Sequence, residues 1–332
     1  MITDLIRRFR DARAYRRLLD EVASLLGAGD HADAAARCAE ALVIAERRHG
    51  PSHPELVTPL YALAAAELAR GRTDEALGSC RRAVALAEAA PAATEPPLPR
   101  LLEQLAAILE RRGEAGEAEA LFRRVLAGYE KMRAPDPGER AAVHNRLALS
   151  LARRGERADA APHFERALSL RVDTLGATHP LVAEALHNLA TYRPEACTAS
   201  EAEAMFRRAL AITEAQGEAG AALQAAILHN LAVTVEEQGR LDDAAALFDR
   251  ALAEREAILG RDAAAPYGLR PTLVRLARIH DAGGRPDVAL PLYDRALALA
   301  EQELGAHRIT TTIRAWREDA AQRATAAKRA RS

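Results

Sequence analysis

Aromatic residues make up only 4% of the 332-residue chain and β-branched residues are sparse, which leaves little from which to build a sheet core. Cysteine is rarer still. Cys38, Cys80 and Cys197 form no CxxC pair and no His-linked spacing, so neither a disulfide framework nor a thiolate zinc site is expected, and a reducing compartment is implied. No apolar run approaches the eighteen or so residues that a membrane span needs. The start, Met1 to Phe9, lacks the apolar stretch of a signal peptide, so the expected location is cytoplasmic. Net charge is also nearly absent, at −1, and a nucleic-acid partner is not expected. The charge is unevenly spread, with about +4 in each of residues 1–17 and 314–332 and about −9 between them, an ordinary arrangement for solubility.

What the chain has in abundance is alanine, leucine, arginine and glutamate, the composition of long helices, so the fold class is all-α. At 332 residues it exceeds one ordinary compact core and must divide or grow by repetition. Repetition is visible. Gly29, Gly71, Gly113, Gly155, Cys197 and Gly239 stand 42 residues apart, and Gly284 follows after 45, defining seven repeats. Five residues after each comes an alanine: Ala34, Ala76, Ala118, Ala160, Ala202, Ala244 and Ala289. Nine after the turn the series reads Cys38, Cys80, Phe122, Phe164, Phe206, Phe248 and Tyr293, and a small residue follows three later. These offsets share one helical face, which defines helix B. Eight before the turn stand Leu63, Leu105, Leu147, Leu189, Leu231 and Leu276, each followed by alanine, which defines helix A; repeat one substitutes Val22 and Ala23 with a one-residue slip. Large residues act as knobs and the alanines let the two helices approach closely enough to receive them.

Leu-Ala, a Gly turn, Ala, an aromatic and a small residue, taken together, resemble the tetratricopeptide repeat from about residue 15 to 310. The 42-residue period, with Gly50-Pro51-Ser52-His53-Pro54 and Gly176-Ala177-Thr178-His179-Pro180 three periods apart, is similar to the kinesin-light-chain subtype. The resemblance implies a right-handed α-α superhelix of seven helix-turn-helix repeats whose concave face grips peptides. The expected divisions are an N-terminal cap at 1–14, repeats at 15–56, 57–98, 99–140, 141–182, 183–224, 225–269 and 270–309, a capping helix at 310–327 and a basic tail at 328–332. The prolines at 54 and 180 are expected to open the next helix, where a missing N–H costs nothing. Ile313, Trp316 and Ala320 are expected to seal the last repeat. Repeat five departs from the pattern: Pro194 should end helix A early, Cys197 replaces the turn glycine, and Ser200 with Glu203 offers a capping box, leaving a hinge there as one reading. Proline-rich connections at 91–99 and 135–137 should form stiff loops.

In this family helix A lines the groove, and the residue nine before the turn often hydrogen-bonds the backbone of a bound peptide. That series is Asp20, Ala62, Gln104, Arg146, Asn188, Asn230 and Arg275, preceded in repeats four to six by Asn145, His187 and His229. An amide supplies a donor and an acceptor to a peptide unit, and a guanidinium pairs with a carboxylate as a fork, so these seven residues of repeats four to seven (145, 146, 187, 188, 229, 230 and 275) are the candidate groove. The same amides could instead bridge neighbouring helices. Four hydrogen bonds at about 1 kcal/mol each reach only millimolar affinity, so pockets or avidity must add to them. Charge along the groove is mixed, with Arg100, Arg111, Arg146 and Arg153 followed by Glu184, Glu195, Glu236 and Glu237.

No phosphate-cradling glycine loop, metalloprotease helix motif or nucleophile elbow occurs, so no catalytic residue and no cofactor is expected. His49 and His53, and the recurring His144, His187 and His229, give no convergent metal set at one-repeat spacing, so no metal is expected either. The expected function is a non-enzymatic adaptor that binds a protein or extended peptide. The alternatives are a peptide-responsive sensor flexing at Pro194, and a membrane-surface scaffold using Ile2, Leu5, Ile6 and Phe9 beside Arg7, Arg8 and Arg10; a membrane is the lesser expectation.

Overall fold

A computed structural model describes residues 2–131, 136–192, 197–261, 268–305 and 307–331, with no side-chain description for residues 2–8. Among the described residues there is no β-strand. The chain divides into two compact units, 1–155 and 156–332.

Unit one contains α1 (Ile2–Ala28), α2 (His31–His49), α3 (Val57–Ala69), α4 (Thr73–Ala89), α5 (Leu98–Arg112), α6 (Ala115–Lys131) and α7 (Pro137–Arg153). Each helix packs on the next in chain order. α1 is one continuous helix, so no break separates residues 1–14 from helix A of repeat one. Unit two contains α8 (Arg157–Leu175), α9 (Pro180–Thr191), α10 (Ala199–Glu214), α11 (Ala221–Glu237), α12 (Leu241–Arg261), α13 (Leu269–Ala282), α14 (Pro286–Leu304) and α15 (Arg308–Arg331). Here too neighbours in sequence are neighbours in space.

The turn glycines explain the short A-to-B connections. Gly29, Gly71, Gly113, Gly155, Gly239 and Gly284 all adopt left-handed backbone, with φ between 70° and 87°. That conformation costs an L-residue roughly 1–2 kcal/mol and glycine almost nothing. It lets the next N–H reach back to the helix: Arg72 N donates to Glu67 O at 2.9 Å, Glu114 N to Leu109 O at 2.9 Å, and Arg285 N to His280 O at 2.8 Å. Repeat five solves the problem differently. α9 has only 12 residues and ends at Thr191, and Cys197 is not left-handed. Pro194, and with it the hinge reading, lies outside the described residues.

The expected capping box is displaced by two residues. Thr198, extended at φ −70° and ψ 158°, caps α10: its Oγ1 accepts from Glu201 N at 3.2 Å while Glu201 Oε2 accepts from Thr198 N at 2.8 Å. Ser200 already lies inside the helix, and Glu203 is occupied by Arg207 at 2.7 Å and Arg240 at 3.0 Å. The proline connections are also more ordered than loops: Pro91–Ala93 forms a 3-10 turn, Pro99 sits in the first turn of α5, and Pro137 opens α7 behind the Asp136 cap. Pro135 lies outside the described residues.

The repeat positions form the core. All seven alanines five residues after the turn are fully buried, and the Cys, Phe and Tyr knobs are at most 1% exposed. In unit two one continuous apolar core runs from Val182 on α9 to Ala320 on α15. Ile313 and Ala320 are buried in it, and Trp316 packs against its end, so α15 closes the last repeat.

Candidate functional site

Within unit one, the candidate row holds Gln104, Asn145 and Arg146. Gln104 Nε2 donates to Tyr61 O on the preceding A helix at 3.0 Å. Asn145 is buried, 6% exposed. Arg146 is half-buried; its guanidinium lies 5.3 Å from the centre of the Phe122 ring and 3.3 Å from Glu110 Oε2.

Within unit two, Asn188, Asn230 and Arg275 stand one per repeat on α9, α11 and α13, all half-buried. Asn230 Nδ2 donates to His187 Nε2 and to Thr191 Oγ1, both at 3.0 Å and both on α9. Arg275 pairs with Glu236 on α11 at 2.7 Å. Asn230 and Arg275 therefore reach back to the preceding A helix, which fixes the spacing of α9, α11 and α13. The amide contacts are the helix-bridging alternative realised in part. They occupy Asn230's donor, while its Oδ1 accepts no hydrogen bond among the described residues.

The histidines sit beneath this row. The His187 ring centre is 6.0 Å from that of Phe206, and the His229 ring meets Phe248 edge-on at 5.4 Å, so each rests on the knob of its own repeat. His229 Nδ1 also lies 2.9 Å from Thr272 Oγ1 on α13. Burial, reinforced by the Arg255 and Arg275 charges, lowers the His229 pKa to about 4, and burial lowers that of His187 as well. Both are neutral at pH 7 and act as hydrogen-bonding parts of the scaffold.

Two sets of polar residues escaped the sequence reading. Sixteen residues after the turn, where Ala45 and Ala87 are plain core, stand Tyr129, Arg171 and Arg255. Tyr129 hydroxyl donates to Glu103 at 2.6 Å, Arg171 to Leu181 O at 2.8 Å, and Arg255 to Gly268 O. Arg171 and Arg255 tie helix B to the next A helix, whereas Tyr129 ties α6 to α5 of its own repeat and lies 3.2 Å from Glu139 on α7. The available signal was a long polar side chain at an otherwise apolar offset. The second set is the histidine caps: Nδ1 of His53, His179 and His307 each accepts from the N–H two residues on, at 3.2 Å. The repeated Gly-x-x-His-Pro carried that signal for His53 and His179; His307 stands outside that motif.

His49, His53 and Glu55 are the one cluster of three potential metal ligands among the described residues, with donor atoms within 4.8 Å. Because His53 Nδ1 accepts the Glu55 N–H, its neutral ring carries the proton on Nε2, the atom a metal would need. The chemistry fits a capping cluster instead, in which His49 and His53 stack at 4.2 Å and His49 bonds Glu55 at 3.0 Å. No helix is long and apolar enough to cross a membrane among the described residues. Of the N-terminal apolar face only the Phe9 side chain is described, and it is 70% exposed.

A family profile for the tetratricopeptide repeat matches residues 18–89, 58–131, 139–215 and 196–257, and a second profile of the same family matches 272–306. The chain belongs to the tetratricopeptide repeat family, and its repeats are of the kinesin-light-chain-like kind. Solved structures of similar fold include BtubC (BKLC) from P. vanneervenii, 25% identical with a TM-score of 0.56, covering 71% of this chain and 93% of that one. A putative kinesin light chain with nearly identical TPR-like repeats from Podosopora anserina is 22% identical with a TM-score of 0.51, covering 61% and 96%. A tetratricopeptide repeat protein from Parabacteroides merdae, 16% identical with a TM-score of 0.54, covers 93% and 99%. No curated protein sequence matches.

Proposed function

We propose that the chain is a non-enzymatic protein-binding module that takes an extended peptide along α9, α11 and α13. The observation that carries this reading is the row of Asn188, Asn230 and Arg275. One polar side chain per repeat stands half-exposed, and bonds from Asn230 and Arg275 to the preceding A helix hold the spacing. A row fixed before the ligand arrives loses little entropy on binding. Asn230 Oδ1 is the acceptor for a peptide N–H. Membership of a family whose repeats mediate protein–protein contact supports the same reading.

The test is selection of peptides from a random display library on the purified chain, followed by affinity measurement on the Asn188→Ala plus Asn230→Ala variant. Two hydrogen bonds at about 1 kcal/mol each predict a loss of roughly tenfold or more. A thermal melt is run alongside, because Asn230 also bridges helices. Failure to select any peptide, or unchanged affinity in a folded variant, overturns the reading.

A further inference from the structure

Beyond the row, residues of α13 and α15 line a hollow of about 480 Å³. Pro271, Val274, Ile309 and Trp316 supply its apolar walls, and Ile309 remains 40% exposed although large and hydrophobic. Four arginines line the same space, and no carboxylate does. Two of them are neutralised from outside: Arg270 by Glu303 at 2.9 Å and Arg275 by Glu236 at 2.7 Å. The other two, Arg278 and Arg308, are exposed and have no carboxylate within ion-pair distance among the described residues. Arg278 lies over the Trp316 ring at 5.2 Å, which orients its guanidinium plane while leaving its N–H groups to bond elsewhere.

We propose that this hollow binds an acidic peptide segment carrying an apolar side chain between its carboxylates. The apolar side chain fills the space against Trp316, Ile309 and Val274, and flanking carboxylates pair with Arg278 and Arg308. The argument is charge complementarity within an apolar concavity. Two exposed guanidinium groups without counter-charge stand beside apolar walls, and a segment that brings carboxylates to them and an apolar side chain between complements both features. A plain anion satisfies the charge and leaves the apolar walls wet, so the peptide is the better match. The inference rests on the protein-binding reading above, because the row leads into the hollow through Arg275, and it names the chemistry of the segment at that end.

Trp316 is the only tryptophan in the chain, so any change in tryptophan emission arises at its ring, which lines this hollow and a neighbouring one that includes Glu236 and Asp281. The full chain is titrated with the peptide Asp-Glu-Leu-Asp-Leu-Glu-Asp, following Trp316 emission and, with a labelled copy, anisotropy. The expected result is a saturable change in emission, with affinity falling at least tenfold in the Arg278→Gln plus Arg308→Gln variant and also on replacing both leucines of the peptide by serine. A Trp316 signal that does not move, equal affinity in the folded variant, or equal affinity of the serine peptide overturns the proposal. So does an equal Trp316 response to inorganic phosphate or to phosphatidylserine vesicles, which would assign the site to a small anion or a lipid surface. If Asn188→Ala plus Asn230→Ala leaves this affinity intact while the arginine variant abolishes it, the hollow stands without the groove. The opposite pattern retains the groove and removes the hollow.

Discussion

The first two repeats and the later ones fill the same core position with different groups. Cys38 and Cys80 occupy it at the start, aromatic rings occupy it from Phe122 to Tyr293, and all are buried. A ring offers a face and an edge to polar neighbours, and four are used: Arg146 lies over Phe122, Tyr192 stacks on Phe164 at 5.9 Å, and His187 and His229 rest on Phe206 and Phe248. A thiol offers only a weak donor, as when Cys80 Sγ approaches Leu101 O at 3.6 Å. The series nine before the turn follows the same division, since its members in the first two repeats are Asp20 and Ala62 and in later repeats are Gln, Arg and Asn. The aromatic knobs thus support neighbouring polar and aromatic side chains with ring faces and edges that a thiol lacks.

The largest expected effect separates the two kinds of knob. Phe248→Ala should cost about 3–5 kcal/mol in urea unfolding and Cys80→Ala about 1 kcal/mol; equal costs would erase the distinction. Ala244 is fully buried, and Ala244→Leu should cost about 1–3 kcal/mol by overpacking. A thermal melt indistinguishable from the parent would contradict the close approach of α11 and α12.

Acid should act on the aromatic region selectively. His229 has a folded pKa of about 4, below the ordinary 6.5, so the unfolded chain binds the proton more readily. Its contribution is full above about pH 6.5 and is lost as pH falls toward 4, amounting to about 2 kcal/mol at pH 5. Urea unfolding at pH 7 and pH 5 should show that loss, and His229→Gln should flatten it; an unaltered pH dependence in the variant would remove His229 as the cause. The smallest effect leaves the fold intact. Burial pushes the Cys38 and Cys80 thiols up to about 12, whereas Cys197 is half-exposed. An aromatic disulfide reagent should therefore modify Cys197 alone in the native chain, and rapid reaction of three thiols would show that the first two knobs are loosely packed.

Much of this architecture was legible because it repeats. A seven-fold recurrence of Ala, knob and small residue at helical spacing specifies a buried seam, and those positions are buried. Capping was less legible because Thr198 and Ser200 offer the same hydroxyl, and only the backbone conformation at 198 decides between them. At the candidate row the residue types were readable and their partners were not: Asn230 could face a ligand or a neighbour, and the geometry that gives its donor to His187 and Thr191 depends on the rotation between adjacent helix pairs. The hollow at Trp316 was hidden for a similar reason. Trp316 and Ile313 read as a seal, and three of the four arginines of the hollow come from α13, some forty residues earlier in the chain, with only Arg308 on the same helix as the ring.

Amide hydrogen exchange read by mass spectrometry, comparing the free chain with the chain saturated by a selected peptide, addresses the binding face directly. The account predicts that slowed exchange concentrates on α9, α11 and α13. Slowed exchange on α10, α12 and α14 instead, with the A helices unchanged, would contradict it.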